Sequence, residues 1–174
     1  MTLLVATSLA AALFIGVIIA SRFTGSPGEA APATTESPRP TGPLALVAVD
    51  APDAASPTCA NLVKALPAAL PSKGKELKRL PLADPAPQAA AAWAGDRGDP
   101  VVLRCGLTKP AEYQPTAQLR LVSQVNWLPV DGDDAMTWYT VDRPVYIALT
   151  IPKDAGTGVV QEMSETIAKA VPTK

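Results

Sequence analysis

The clearest pattern in the chain is the alternation over residues 145–151. There Val145, Ile147, Leu149 and Ile151 interleave with Tyr146, Ala148 and Thr150. A period of two with one apolar face predicts a strand buried on one side. Leu119 and Leu121 interleave with Gln118 and Arg120 in the same way, which predicts a strand over 118–122 with both leucines inward. Further strands are predicted over 100–105, 126–130 and 136–142. Helical spacing brackets this strand-rich centre. Ser56-Pro57 gives an N-cap followed by proline at the first helical position, and residues 59–66 continue with Leu62, Val63 and Leu66 on one face. Residues 157–170 place Val159, Val160, Met163, Ile167 and Ala170 on one stripe, with Gln161, Glu162 and Glu165 outward. Residues 88–94, QAAAAWA, have high helix propensity and predict a short helix that carries Trp93 into the core. Strands that follow one another without intervening helices pair antiparallel. The predicted fold class is therefore α+β, an antiparallel sheet with helices packed on one face.

In front of this domain stands an uncharged apolar run over residues 2–21. Twenty helical residues span roughly 30 Å, the thickness of a bilayer's hydrocarbon core. Residues 1–23 are read as an N-terminal transmembrane helix, an uncleaved anchor in preference to a signal segment. Ala31-Pro32-Ala33 has the small-x-small form, but it stands far from the apolar run. Arg22 lies on the side opposite to that favoured when the C-terminal domain is outside. Residues 24–43 hold no aromatic and no bulky aliphatic side chain, so they form a disordered Pro/Thr/Ser-rich linker. Residues 44–174 make one domain. The predicted arrangement is a single-pass membrane protein whose C-terminal domain is extracytoplasmic.

Charge and cysteine usage narrow the chemistry. The chain carries 15 Lys plus Arg against 16 Asp plus Glu, and the same balance of −1 holds from Leu44 onward. A nearly neutral domain has no long-range field to gather nucleic acid, which is excluded as a partner. The basic run from Lys73 to Arg79 reads as a solvated loop face. Cys59 and Cys105 are the only cysteines, lying behind an export segment, and they predict one structural disulfide. Zinc, a cysteine nucleophile and a C-x-x-C redox pair all lack the residues they need. The chain contains no histidine, so a Ser-His-Asp site and a His-ligated metal are impossible. No metal and no cofactor is expected.

Carboxylates remain the available acid–base groups, concentrated at Asp131, Asp133, Asp134 and Asp142. Asp131-Gly132-Asp133-Asp134 departs from a calcium loop at its fifth, sixth and twelfth positions, and Asp-Gly predicts a hairpin turn instead. Ser72-Lys73-Gly74-Lys75 matches S-x-x-K literally. In a Ser-Lys hydrolase that motif opens a helix, whereas here Pro71 and Gly74 predict a loop, and the companion motifs are absent. No catalytic residue is nominated, and the chain is read as a non-enzyme.

The stretches Val101-Val102-Leu103-Arg104-Cys105-Gly106, Val125-Asn126-Trp127-Leu128 and Trp138-Tyr139-Thr140-Val141-Asp142-Arg143, with Val145-Tyr146-Ile147, resemble one actinobacterial family. Its members are uncharacterised cell-envelope proteins with an N-terminal membrane segment, and the likeness covers most of residues 59–168. The resemblance implies location and fold and transfers no catalytic residue. The residues nominated for ligand or partner contact are Arg104, Trp127, Trp138, Asp142 and Arg143. They are weighed against a bland role as an ion pair plus two core tryptophans. The predicted function is a noncatalytic binding or sensing module tethered to the membrane, with an envelope protein or cell-wall component as partner. The alternative is a carboxylate-dependent enzyme acting on cell-wall glycan or peptide.

Overall fold

The computed structural model describes residues 42–174. The expected membrane segment and nearly all of the expected linker lie outside the described residues. Among the described residues, no helix is long and apolar enough to cross a membrane. The elements are helix α1 (Pro57–Ala65), strands β1 (Ala69–Ser72), β2 (Lys75–Leu80), β3 (Ala90–Trp93), β4 (Val101–Leu107), β5 (Arg120–Val122), β6 (Val125–Asp131), β7 (Ala135–Thr140) and β8 (Tyr146–Pro152), and helix α2 (Gly158–Ala170). The strands form one sheet in the order β1-β2-β3-β4-β8-β7-β6-β5. Every neighbouring pair is antiparallel. Two four-stranded meanders therefore lie side by side, joined where β8 returns to pair with β4. The α+β class read from the sequence is the observed one.

Helix α1 starts as its sequence dictates. Ser56 accepts a hydrogen bond from the Cys59 amide at 3.3 Å, Pro57 occupies the first turn, and Leu66 turns extended ahead of Pro67. Its buried Cys59 is bonded to Cys105 on β4, with the two Cα atoms 5.6 Å apart. The expected disulfide is present, and it fastens α1 to the middle of the sheet. Gly106, next in the chain, has φ 84, and a Cβ there would lie 2.3 Å from the Ala54 nitrogen. Glycine at this bulge lets the turn before α1 sit against β4, where the Asp53 amide donates to the Gly106 carbonyl at 3.0 Å.

Helix α2 buries Val159, Val160, Met163 and Ile167 as the stripe predicts. It touches α1, β1 at one edge of the sheet, and β5 and β6 near the other. The sheet thus curves around α2. Trp93, Trp127, Leu103, Ile147, Leu149 and Met163 are all fully buried in this core. The Trp127 indole donates to Ser164 Oγ at 2.8 Å, and that hydroxyl donates to the Val160 carbonyl at 2.6 Å. The polar end of the large aromatic is thereby satisfied inside the core.

Three local expectations are corrected. Residues 88–94 are not a helix: Ala90–Trp93 is a strand paired on both sides, with β2 and with β4. Alanine favours helix only where tertiary pairing does not decide. Here small side chains suit a position covered on both faces, and Trp93 still reaches the core, donating from Nε1 to the Pro67 carbonyl at 3.0 Å. The basic run is not a loop. Ser72 and Lys75 are cross-strand partners, and Lys73 and Gly74 (φ 46 and 77) make the two-residue turn of a β1–β2 hairpin. Finally, Leu119 and Leu121 are 40% and 70% exposed. Register explains this: Arg120 pairs with Trp127, whose side chain is in the core, so the leucines flanking Arg120 take the opposite face.

Candidate functional site

Strand parity builds a second surface on the face of the sheet that, among the described residues, no helix covers. On β4, Val101, Leu103 and Cys105 point into the core, which sends Arg104 the other way. On β8, Ile147, Leu149 and Ile151 are buried on the helix side, which leaves Ala148 and Thr150 on the other face. On β7 the same alternation places Thr137 and Tyr139 there. The register then sets these residues in two rows. Arg104 lies beside Ala148 and Ala148 beside Tyr139, while Thr150 lies beside Thr137. The two threonine hydroxyls are hydrogen-bonded at 3.1 Å.

The connection from β4 to β5, residues 108–119, has to travel past three strands. Its first residues run over this helix-free face and, with Val49 and Asp50, wall a cavity of about 530 Å³. That volume falls in the range of small-molecule pockets, roughly 300–1,000 Å³. The small Ala148 keeps its floor low between the two large side chains. Arg104 makes no ion pair among the described residues. Burial depresses its pKa below the ordinary arginine value, as expected when a charge is drawn from water without a partner. Burial also raises the Tyr139 hydroxyl, and the nearby Glu112 carboxylate raises it further.

A prediction follows for Tyr139. Its neutral form is favoured in the folded state, so the stability this group supplies is present below its ordinary value of 10.0. That stability is lost as pH rises through the folded value. Glu112→Gln is expected to move the Tyr139 titration down toward the ordinary value without abolishing the shift, since burial is the larger cause. Tyrosinate absorbance against pH in the two proteins measures this, and an unmoved curve would separate Glu112 from Tyr139.

Of the five residues nominated from sequence, only Arg104 reaches this pocket. Trp127 is fully buried in the core. Trp138 lies on the helix side and meets Trp127 edge to face, with ring centroids 6.3 Å apart at 87°. Asp142 and Arg143 form a structural pair at another place. Asp142 Oδ2 accepts from the Asn126 amide at 2.9 Å and from its side chain at 3.2 Å, while Oδ1 faces Arg143 Nε at 3.3 Å. Arg143, 3% exposed, donates to the Val171 carbonyl at 3.0 Å, to Thr173 Oγ1 at 2.9 Å and to the Gln124 carbonyl. Ser123 and Gln124 form the β5–β6 turn with φ 41 and 66, a conformation that disfavours ordinary side chains. Arg143 thus ties a strained hairpin to the C-terminal tail. Arg143→Leu leaves Asp142 and three acceptors unmatched and is expected to cost about 3 kcal/mol. Urea denaturation measures it, and an unchanged midpoint would mean the tail and hairpin hold without it.

Asp131, Asp133, Asp134 and Asp142 do not converge. Asp131 pairs with Lys153 at 3.1 Å at the surface, and Asp133 and Asp134 are exposed in the β6–β7 hairpin loop. Asp142 is committed to Asn126 and Arg143, and the carboxylates that line the pocket are Asp50 and Glu112. Among the described residues, no three Cys, Asp or Glu side chains are grouped to hold a metal ion. Ser72 is buried, donating to Asp96 Oδ2 and accepting from the Gly156 amide at 2.8 Å. Its hydroxyl fastens the first hairpin to the loop ahead of α2. Sequence reading missed Tyr139, Thr137 and Thr150 as pocket residues. Their parity was readable, but their register against Arg104 was not.

Fold and site together define a small α+β protein with a single curved antiparallel sheet and a polar pocket on its helix-free face. The chain belongs to the DUF3515 family, described as a protein of unknown function, whose model matches residues 7–174. No curated protein and no solved structure matches it.

Proposed function

We propose that this chain is a noncatalytic binding or sensing module that works outside the cytoplasm, tethered by its apolar N-terminal segment in the envelope of an actinobacterium. Arg104 carries the reading. It is a half-buried arginine that makes no ion pair among the described residues, fixed on a central strand at the wall of a pocket of ligand size. The buried Cys59–Cys105 bond suits an oxidising compartment. The apolar length of residues 2–21 suits a membrane anchor. Asp131, Asp133, Asp134 and Asp142 supply no pair placed for glycosidase-type chemistry.

The test has two arms. Proteolysis of intact cells or spheroplasts is expected to release the folded domain by cutting residues 24–43 from outside. Protection until the membrane is broken would overturn the topology. In a deletion strain, Arg104→Gln is expected to lose the cellular phenotype, while Asp131→Asn, Asp133→Asn and Asp134→Asn keep it. One indispensable acid in a fully folded variant would favour a carboxylate-dependent enzyme acting on wall glycan or peptide.

A further inference from the structure

The charges around the helix-free pocket cancel. Arg104 and Lys109 line it together with Asp50 and Glu112. A site for a phosphate or a polyanion gathers cations and keeps carboxylates away, since like charges nearby repel the ligand. Two carboxylates in a pocket with two cations match a ligand that carries both signs. Arg104 stands on β4, while Glu112 lies close enough to Tyr139, two strands away on β7, to raise its hydroxyl. Neighbouring strands are about 4.8 Å apart, so the Arg104 and Tyr139 backbone positions are separated by about 10 Å. An extended chain advances about 3.3 Å per residue. A free amino acid is too short for that span, and a tripeptide fits it.

We propose that this pocket binds a short zwitterionic peptide, with its C-terminal carboxylate on Arg104 and its N-terminal ammonium on Glu112. The planar guanidinium offers paired donors to a carboxylate, which a lysine cannot reproduce. The Thr137–Thr150 hydroxyl pair, in the neighbouring row of the floor, offers hydrogen bonds to a peptide amide lying beside it. Ala148 leaves room for the peptide backbone to lie across the strands. This assignment rests on the binding reading above and deepens it by naming the ligand class.

Trialanine, its C-terminal amide and N-acetyltrialanine provide the test. Each is titrated into the isotope-labelled full-length chain in detergent micelles, with amide NMR as the readout. Trialanine is expected to shift the amides of Thr137, Tyr139, Ala148 and Thr150, and each blocked peptide to bind about tenfold more weakly or worse. Arg104→Gln is expected to erase the difference between trialanine and its amide. Glu112→Gln is expected to erase the difference between trialanine and the acetylated form. Should Arg104→Gln fail to fold, Arg104→Lys keeps the charge without the fork and is expected to weaken only peptides with a free carboxylate. Equal binding of the three peptides, or unmoved pocket amides up to their solubility limit, overturns the assignment. Inorganic phosphate or a neutral oligosaccharide moving those amides in the peptides' place also overturns it, while leaving the binding-module reading intact.

Discussion

Replacing Cys59 and Cys105 together by alanine is expected to lower the stability of the folded domain by about 4 kcal/mol, and its melting temperature by roughly 15 °C. The two residues are 46 apart in the chain, and joining them removes the freedom of a loop of that length from the unfolded ensemble. The loss is large against a total of roughly 5–15 kcal/mol for a domain. It also acts at a sensitive place. α1 is only nine residues long, too short to be helical on its own, and it is held by the bond, by its contact with α2 and by Leu62. Both sulfurs are fully buried, so the native bond should resist reductant until the domain opens. Guanidinium denaturation with and without reductant measures the effect. Equal midpoints would show that α1 is secured by packing alone.

What was legible in the sequence follows from how each element is encoded. β8 and α2 carry their own periodicity, because each has one face in the core and one face outside it, and both stand close to where the pattern placed them. α1 was marked by a cap and a proline. β3 was hidden because its alanines are good helix formers and its strand character comes from partners distant in the chain. The β1–β2 hairpin was hidden differently. Its buried apolar residues are Leu70 and Leu77, paired across the turn, and the lysines and arginine around Leu77 masked the alternation. Leu119 and Leu121 show the limit of period two: alternation reveals that a strand has two faces, and only the register with β6 decides which of them meets the core.

The candidate site divides along the same line. Arg104 could be sent to the outer face by alternation alone, since its neighbours Leu103 and Cys105 belong inside. Its companions could not. Tyr139 joins Arg104 only because β8 inserts between β4 and β7 and brings a small residue, Ala148, between them. That adjacency is a property of strand order, which no local pattern encodes. Asp142 and Arg143 were nominated for contact, against a plain role as an ion pair. Their role is to close the hairpin, the β7–β8 connection and the C-terminal tail upon one another.

Met163→Asp is expected to have the largest effect of any single substitution on the sheet-packing helix, about 5 kcal/mol or more. Met163 is fully buried, one turn from Val159 and one turn from Ile167, on the stripe that faces the sheet. The change removes a large apolar side chain, which costs about 2–5 kcal/mol. It also forces a carboxyl into a site built from hydrocarbon and an already satisfied Trp127–Ser164 pair. The carboxylate must either stay charged without a partner or take up a proton well above its ordinary pKa of about 3.9. The sign of the pH dependence follows. A carboxyl whose folded pKa is raised is least harmful when both states are protonated, so the deficit of the variant should narrow as pH falls and widen through neutrality. Two controls isolate the cause. Met163→Leu conserves volume and should cost less than about 1.5 kcal/mol, and Gln161→Asp places the same charge on the exposed side of the helix and should be nearly silent. Thermal melts of the three proteins at acidic and neutral pH decide the matter. An unchanged melting temperature for Met163→Asp would mean that α2 does not hold the sheet's curvature, and a deficit that widened toward low pH would place the loss somewhere other than the buried carboxyl.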